Sequence, residues 1–127
     1  MSIVKTIKPT EGELEILQVL WTKQKATVRE VFEELSQYKE SGYTTTLKLM
    51  QIMFEKGLVS RDKTTRTHVY KPLVTREKTQ RQLLGKMVLT LFGGSSTQLV
   101  MQALGSQAPT KKELEEIQQI LDNLKKK

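Results

Sequence analysis

The chain has no cysteine, a single histidine, and no apolar run that approaches a membrane span. The first absence excludes disulfides, zinc–thiolate sites, iron–sulfur clusters and cysteine nucleophiles. The second leaves His68 alone. It falls in the predicted second strand of a hairpin, where a cross-strand surface role outweighs a phosphate contact or a pH sensor. No Ser-His-Asp set, phosphate-binding loop or dinucleotide fingerprint is present, and Gly93-Gly94 reads as a helix break because no strand precedes it. Glu33-Glu34 and Glu115-Glu116 fall on helix surfaces, solvated rather than paired for acid–base work. An enzyme is not expected, and no metal or cofactor is implied. The start Met1-Ser2-Ile3-Val4-Lys5 lacks the apolar core of a signal peptide, so a cytoplasmic location without membrane insertion is the expectation.

What is present is positive charge, unevenly placed. The net charge is +7 over 127 residues. Residues 10–42 carry four basic and seven acidic side chains, residues 43–74 six and two, and residues 75–127 nine and five. A basic middle beside an acidic shoulder suits one face made for a polyanion, although a solvated surface has the same composition.

Local patterns give six helices and one hairpin. Thr10-Glu11-Gly12-Glu13, Thr27-Val28-Arg29-Glu30 and Thr110-Lys111-Lys112-Glu113 are capping boxes, each opening a helix. Leu14, Leu17, Val19, Leu20 and Trp21 supply the apolar face of the first helix, and Val28, Val31, Phe32 and Leu35 that of the second. The link Lys23-Gln24-Lys25-Ala26 is short, as helix-turn-helix geometry needs. A third helix is predicted from about Thr44 to Lys56, with Thr46, Leu49, Met50 and Met53 facing the core and Gly57 in the left-handed position that ends it. Two alternating runs follow, Leu58 to Arg61 and His68 to Lys71, around the polar tip Asp62 to Thr67, and Pro72 closes the hairpin. Helix, then basic hairpin, is the plan of a winged helix-turn-helix.

Beyond Thr75 three amphipathic helices are predicted: one through Leu83, Leu84, Met87, Val88, Leu91 and Phe92; a short one from Ser95 to Leu104; and, after a Gly105–Pro109 link, a last one with Leu114, Ile117, Ile120, Leu121 and Leu124 on one face. These are too few and too short to bury their apolar faces alone, and a second copy is the natural cover. The expected fold is therefore mainly α with a small β-hairpin: a winged-helix DNA-binding domain over 1–74 and a helical dimerisation region over 75–127. Leu84, Val88, Leu91, Phe92, Leu99, Leu114, Ile117, Leu121 and Leu124 are the candidate dimer contacts. A two-fold dimer would present two recognition helices to an inverted repeat.

The third helix carries the candidate chemistry. Thr44 and Thr45 offer hydroxyls and free N–H groups to a phosphate. Lys48 and Gln51, one turn apart, are long enough for base edges, Lys towards guanine and Gln towards adenine. Lys63 and Arg66 at the wing tip can reach phosphates or a minor groove. The competing reading is that the threonines only cap and Lys48 only solubilises.

The stretch Gly42-Tyr43-Thr44-Thr45-Thr46 through Leu49, Met53 and Glu55-Lys56-Gly57-Leu58-Val59 resembles the third-helix signature of the penicillinase-repressor family (BlaI/MecI). Glu13-Leu14-Glu15-Ile16-Leu17 to Leu20-Trp21, Val69-Tyr70 and Leu91-Phe92-Gly93-Gly94 match the same pattern, in register, over nearly the whole chain. The resemblance implies a homodimeric bacterial repressor on an inverted-repeat operator of resistance or stress genes. It also implies relief by cleavage in the C-terminal region, triggered by a membrane sensor with a metalloprotease domain. The family's Asn-Phe scissile pair falls, in this register, on Gln102-Ala103. Where relatives often carry a threonine and an arginine along the third helix, this chain has Lys48 and Ile52. A related branch senses copper through C-terminal cysteines, which this chain lacks. Two other classes stay open: a winged helix serving as a protein-interaction module, and a regulator released by a small molecule bound between the two regions.

Overall fold

All three capping boxes form in the computed structural model, which describes residues 8–127. The Thr10 hydroxyl accepts from the Glu13 backbone N–H at 3.2 Å, and the Glu13 carboxylate accepts from the Thr10 backbone N–H at 2.8 Å; helix α1 (Glu11–Lys23) follows. Thr27 and Glu30 repeat this at α2 (Val28–Leu35). A cap of this kind is worth about 1 kcal/mol because a helix start leaves its first N–H groups without intrahelical partners. Helix α3 spans Tyr43–Lys56 and stops at Gly57, whose φ of 83° is the left-handed conformation that glycine adopts without strain.

The hairpin pairs β2 (Val59–Asp62) with β3 (Val69–Pro72), Val59 opposite Pro72 and Asp62 opposite Val69. A third strand joins it, absent from the sequence reading. It is β1 (Ala26–Thr27), in the link between α1 and α2, with Ala26 opposite Tyr70. The sheet order is β1-β3-β2. Two residues are too few for a period-two pattern to show.

Ile16, Leu17 and Leu20 of α1, Val31 of α2, and Met50 and Met53 of α3 form the core with Leu58, Val59 and Tyr70. Ile16 lay outside the expected apolar face yet is fully buried. Glu13 is buried too, only 1% exposed, and its charge is matched: the Lys56 ammonium donates to both carboxylate oxygens at 2.9 Å. That pair ties the start of α1 to the end of α3, as an ionised group out of water requires. The Trp21 indole N–H donates to the Val74 carbonyl at 2.8 Å, fixing the chain that leaves the wing. Arg76 then lies 5.7 Å from the Trp21 ring centre and reaches the Thr22 hydroxyl at 3.3 Å.

The molecule divides into two compact units, the first running to Leu83 and the second from Leu84 to Lys127. The division falls inside α4 (Arg76–Thr90), whose Arg76 contacts Trp21 of α1. In the second unit α4 ends at Thr90, so Leu91 and Phe92 sit in the turn with Gly93 and Gly94, both at positive φ. Helix α5 (Ser96–Ser106) is capped by Ser95 and continues past Leu104 through Gly105, narrowing the expected link to residues 107–110. The Ser106 hydroxyl, donating to the Ala103 carbonyl at 3.2 Å, helps hold that last turn. Helix α6 spans Lys111–Lys125, and neither α5 nor α6 buries a residue. Among the described residues no helix is long and apolar enough to cross a membrane.

Candidate nucleic-acid interface

Helix α3 separates its residues sharply. Thr46, Met50 and Met53 are buried, while Thr44, Thr45, Lys48, Gln51 and Glu55 are exposed. Steps of three and four residues put Thr44, Lys48, Gln51 and Glu55 in one stripe along the outer face. The threonines do not cap. The N-cap is Gly42, which has no side chain to bond, so the first-turn N–H groups stay open to an anion and the Thr44 and Thr45 hydroxyls stay outside the cap.

An aromatic buttress holds the start of α3. Tyr43 meets Phe32 of α2 edge-on, ring centres 5.7 Å apart, and the Arg29 guanidinium lies 4.8 Å from the Tyr43 ring centre. Arg29 is exposed and thereby joins the head of the outer stripe. It escaped the sequence reading, because nothing in a capping box reports which distant ring its third residue will meet.

Lys63 and Arg66 are exposed in the turn between β2 and β3. Asp62 shapes that turn: its carboxylate accepts from the Thr64 backbone N–H at 2.9 Å and from the Thr64 hydroxyl at 2.7 Å. These bonds, the backbone one foremost, hold the Asp62 carboxyl below its ordinary range, with Lys71 and Lys25 adding to the effect. The Thr65 hydroxyl donates to the Thr67 carbonyl in the same turn. An Asp-x-Thr turn is legible in a sequence, and Asp62 was the signal to follow. His68 is exposed and precedes β3 instead of lying in it.

The structure thus brings Thr44, Thr45, Lys48 and Gln51 onto one helix face and sets Lys63 and Arg66 on one turn, all in the first unit. The remaining candidates lie elsewhere. Of the apolar set, Leu84, Leu91, Leu114, Leu121 and Leu124 are between 45% and 70% exposed, and Val88, Phe92, Leu99 and Ile117 are half-buried. Gln102 and Ala103 lie within α5, exposed. A groove of about 400 Å³ between α1 and the end of α2 has Val19 and Leu35 in its lining and the Glu15–Lys39 pair (2.8 Å) beside them. It belongs to the first unit, whereas a ligand-released regulator was expected to hold its ligand between the two regions.

The model of the penicillinase repressor family matches residues 9–123. The chain belongs to that family. It is 23% identical over 123 residues to a penicillinase repressor of Staphylococcus aureus, covering 97% of this chain and 98% of that protein. It is 23% identical over 118 residues to the methicillin resistance regulatory protein MecI of Staphylococcus aureus strain N315, covering 93% and 96%. A shorter match, 36% identical over 64 residues, is to the transcriptional regulator BlaI of Mycobacterium tuberculosis, covering 48% and 46%. The solution structure of the DNA-binding domain of the repressor BlaI superposes with a TM-score of 0.50 at 26% identity, covering 60% of this chain and 90% of that one. The winged helix expected from the sequence is therefore the fold of the first unit. The family consists of transcriptional repressors rather than enzymes, in line with the empty inventory of catalytic groups.

Proposed function

We propose that this protein is a dimeric, sequence-specific DNA-binding repressor that acts on an inverted-repeat operator. The observation that carries the reading is the outer face of α3. Four long or hydroxyl-bearing side chains, Thr44, Thr45, Lys48 and Gln51, stand exposed on a helix whose start offers free N–H groups, and a basic turn with Lys63 and Arg66 follows in the same unit. In a member of this repressor family, such a face suits a major groove, with the threonines on phosphates and Lys48 and Gln51 on base edges. The wing residues would take the adjacent backbone or minor groove.

The dimer rests on the second unit. That unit leaves Leu84, Met87, Leu91, Leu114, Leu121 and Leu124 exposed, and large apolar side chains left in water at this density point to a partner surface. Relief by a cut at Gln102–Ala103 is consistent with α5, which buries no residue and so opens locally at low cost. A membrane-bound metalloprotease sensor would supply the cut.

The test is selection of duplexes from a random pool by the full chain. An inverted repeat should emerge, bound far more tightly than a single half-site and with steep loss of affinity as salt rises. Equal binding to selected and random duplexes would leave a protein-interaction module as the better account.

A further inference from the structure

Strand β2 carries an arginine on the same side as the buried Val59. The guanidinium of Arg61 lies 4.1 Å from the centre of the Phe54 ring, so a wing residue is stacked on a helix α3 residue. The stack has an unmet demand. Among the described residues, Arg61 Nε is buried and has no hydrogen-bond partner. A buried donor left open in a folded protein calls for an explanation, because the native state ordinarily satisfies such groups.

Helical geometry locates the stack. Phe54 follows Gln51 by three residues, so it flanks the outer stripe on the Gln51 side while Met50 and Met53 point inward. Arg61 therefore stands where α3 meets the wing, next to the face read above as entering a major groove. A duplex that holds α3 in its major groove and the wing beyond must run its sugar–phosphate backbone over that junction. A planar guanidinium, weakly hydrated and pre-stacked on an aromatic ring, is suited to offer its terminal N–H groups to a phosphate there.

We propose that Arg61 is a phosphate-binding residue, held in place by Phe54, that fixes the wing and α3 to one backbone strand. The proposal rests on the DNA-binding reading. It differs from a merely packed cation in what it demands: the charge should matter to DNA and not to folding.

The experiment measures binding of the full-length chain and of Arg61→Met, Arg61→Lys and Phe54→Leu to a duplex selected by the wild type and to a random duplex of equal length, across a salt series. Thermal melting of each is recorded without DNA. Arg61→Met should melt at or above the wild-type temperature, since a methionine fills the stack without an open donor. It should bind both duplexes about five- to ten-fold more weakly, with a salt slope smaller by about one. Arg61→Lys should keep the wild-type salt slope and lose part of the affinity. Phe54→Leu should do the same, because the charge stays and its platform goes. An unchanged salt slope in Arg61→Met overturns the assignment while leaving the DNA-binding reading intact. If Arg61→Met fails to fold, a wild-type slope lost in Arg61→Lys overturns it instead. A wild-type chain that selects no duplex from the pool and binds none overturns both.

Discussion

Lys48, Gln51 and Arg66 are all exposed, basic or amide side chains, and exposure alone gives no reason to treat them differently. Their positions do. Lys48 and Gln51 project from a rigid helix, one turn apart, and Arg66 sits on a turn. Lys48→Ala or Gln51→Ala should cost about 1–3 kcal/mol on a selected operator and relax base preference at one position per half-site. Arg66→Ala should weaken selected and random duplexes alike and flatten the salt dependence. Identical behaviour of Lys48→Ala and Arg66→Ala on the two duplexes would show that α3 does not read bases. Stability at the residue scale turns on Glu13. Lys56→Ala strips the partner from a carboxylate that is 1% exposed. The expected cost is about 1–3 kcal/mol, towards the low end because the Lys56 side chain is 34% exposed and water reaches it. Urea unfolding checks the value. Glu13→Gln placed on top of Lys56→Ala should recover part of it, since the amide oxygen can still accept from Thr10 without a buried charge.

Elements were legible where their signals are local. The capping boxes at Thr10, Thr27 and Thr110 formed as read because each is a four-residue contract between a hydroxyl and a carboxylate. Gly57 ended α3 for a reason carried by one residue. What escaped was set by partners far along the chain. Strand β1 exists because Tyr70 lies opposite Ala26, and Glu13 is buried because Lys56 arrives 43 residues later. Arg29 and Arg61 take their places from rings on α3, which no periodicity on their own elements shows. The exposed face of α3 was readable because amphipathicity alone decides which face of a helix is left outside. Helix α2 offers a test of the local signals. Thr27→Ala should destabilise the first unit by about 1 kcal/mol. The Glu30 carboxyl sits below its ordinary value chiefly because it accepts from the Thr27 backbone N–H. A folded-state pKa lowered in this way gives stability that is present above about pH 4.3, the unfolded value, and is lost as pH falls through the lowered one. The stability gap between wild type and Glu30→Gln should therefore be present at pH 6 and close towards pH 3. A gap independent of pH would mean that the carboxylate does not serve the cap.

At the scale of the molecule the two units differ in what they can do unaided. The first buries a core drawn from α1, α2, α3 and the sheet, and Trp21, Val74 and Arg76 secure its exit. The second exposes most of its large apolar side chains, including Leu114, Ile120, Leu121 and Leu124 along α6. Such helices gain little from a solitary fold, because helices of this length are marginal in water without an apolar face to cover. A second copy would cover that face, and the same contact would couple two α3 helices on one operator. The coupling has a measurable size. Two linked half-site interactions exceed one by the effective concentration that the linkage provides, about 10²- to 10⁴-fold. A chain cut after Leu83 should fold, sediment as a monomer and bind a single half-site with the same preference as the full chain, while losing that factor on the inverted repeat. The cut belongs there rather than at residue 74, since removing Arg76 would take away its contact with Trp21 and Thr22. Leu121→Asp in the full chain should act in the same direction, because a carboxylate in the shared face must be desolvated when two copies meet. Sedimentation of the wild-type chain as a monomer at micromolar concentration, with its preference for an inverted repeat intact, would separate operator binding from the second unit and leave those apolar faces without the role assigned to them here.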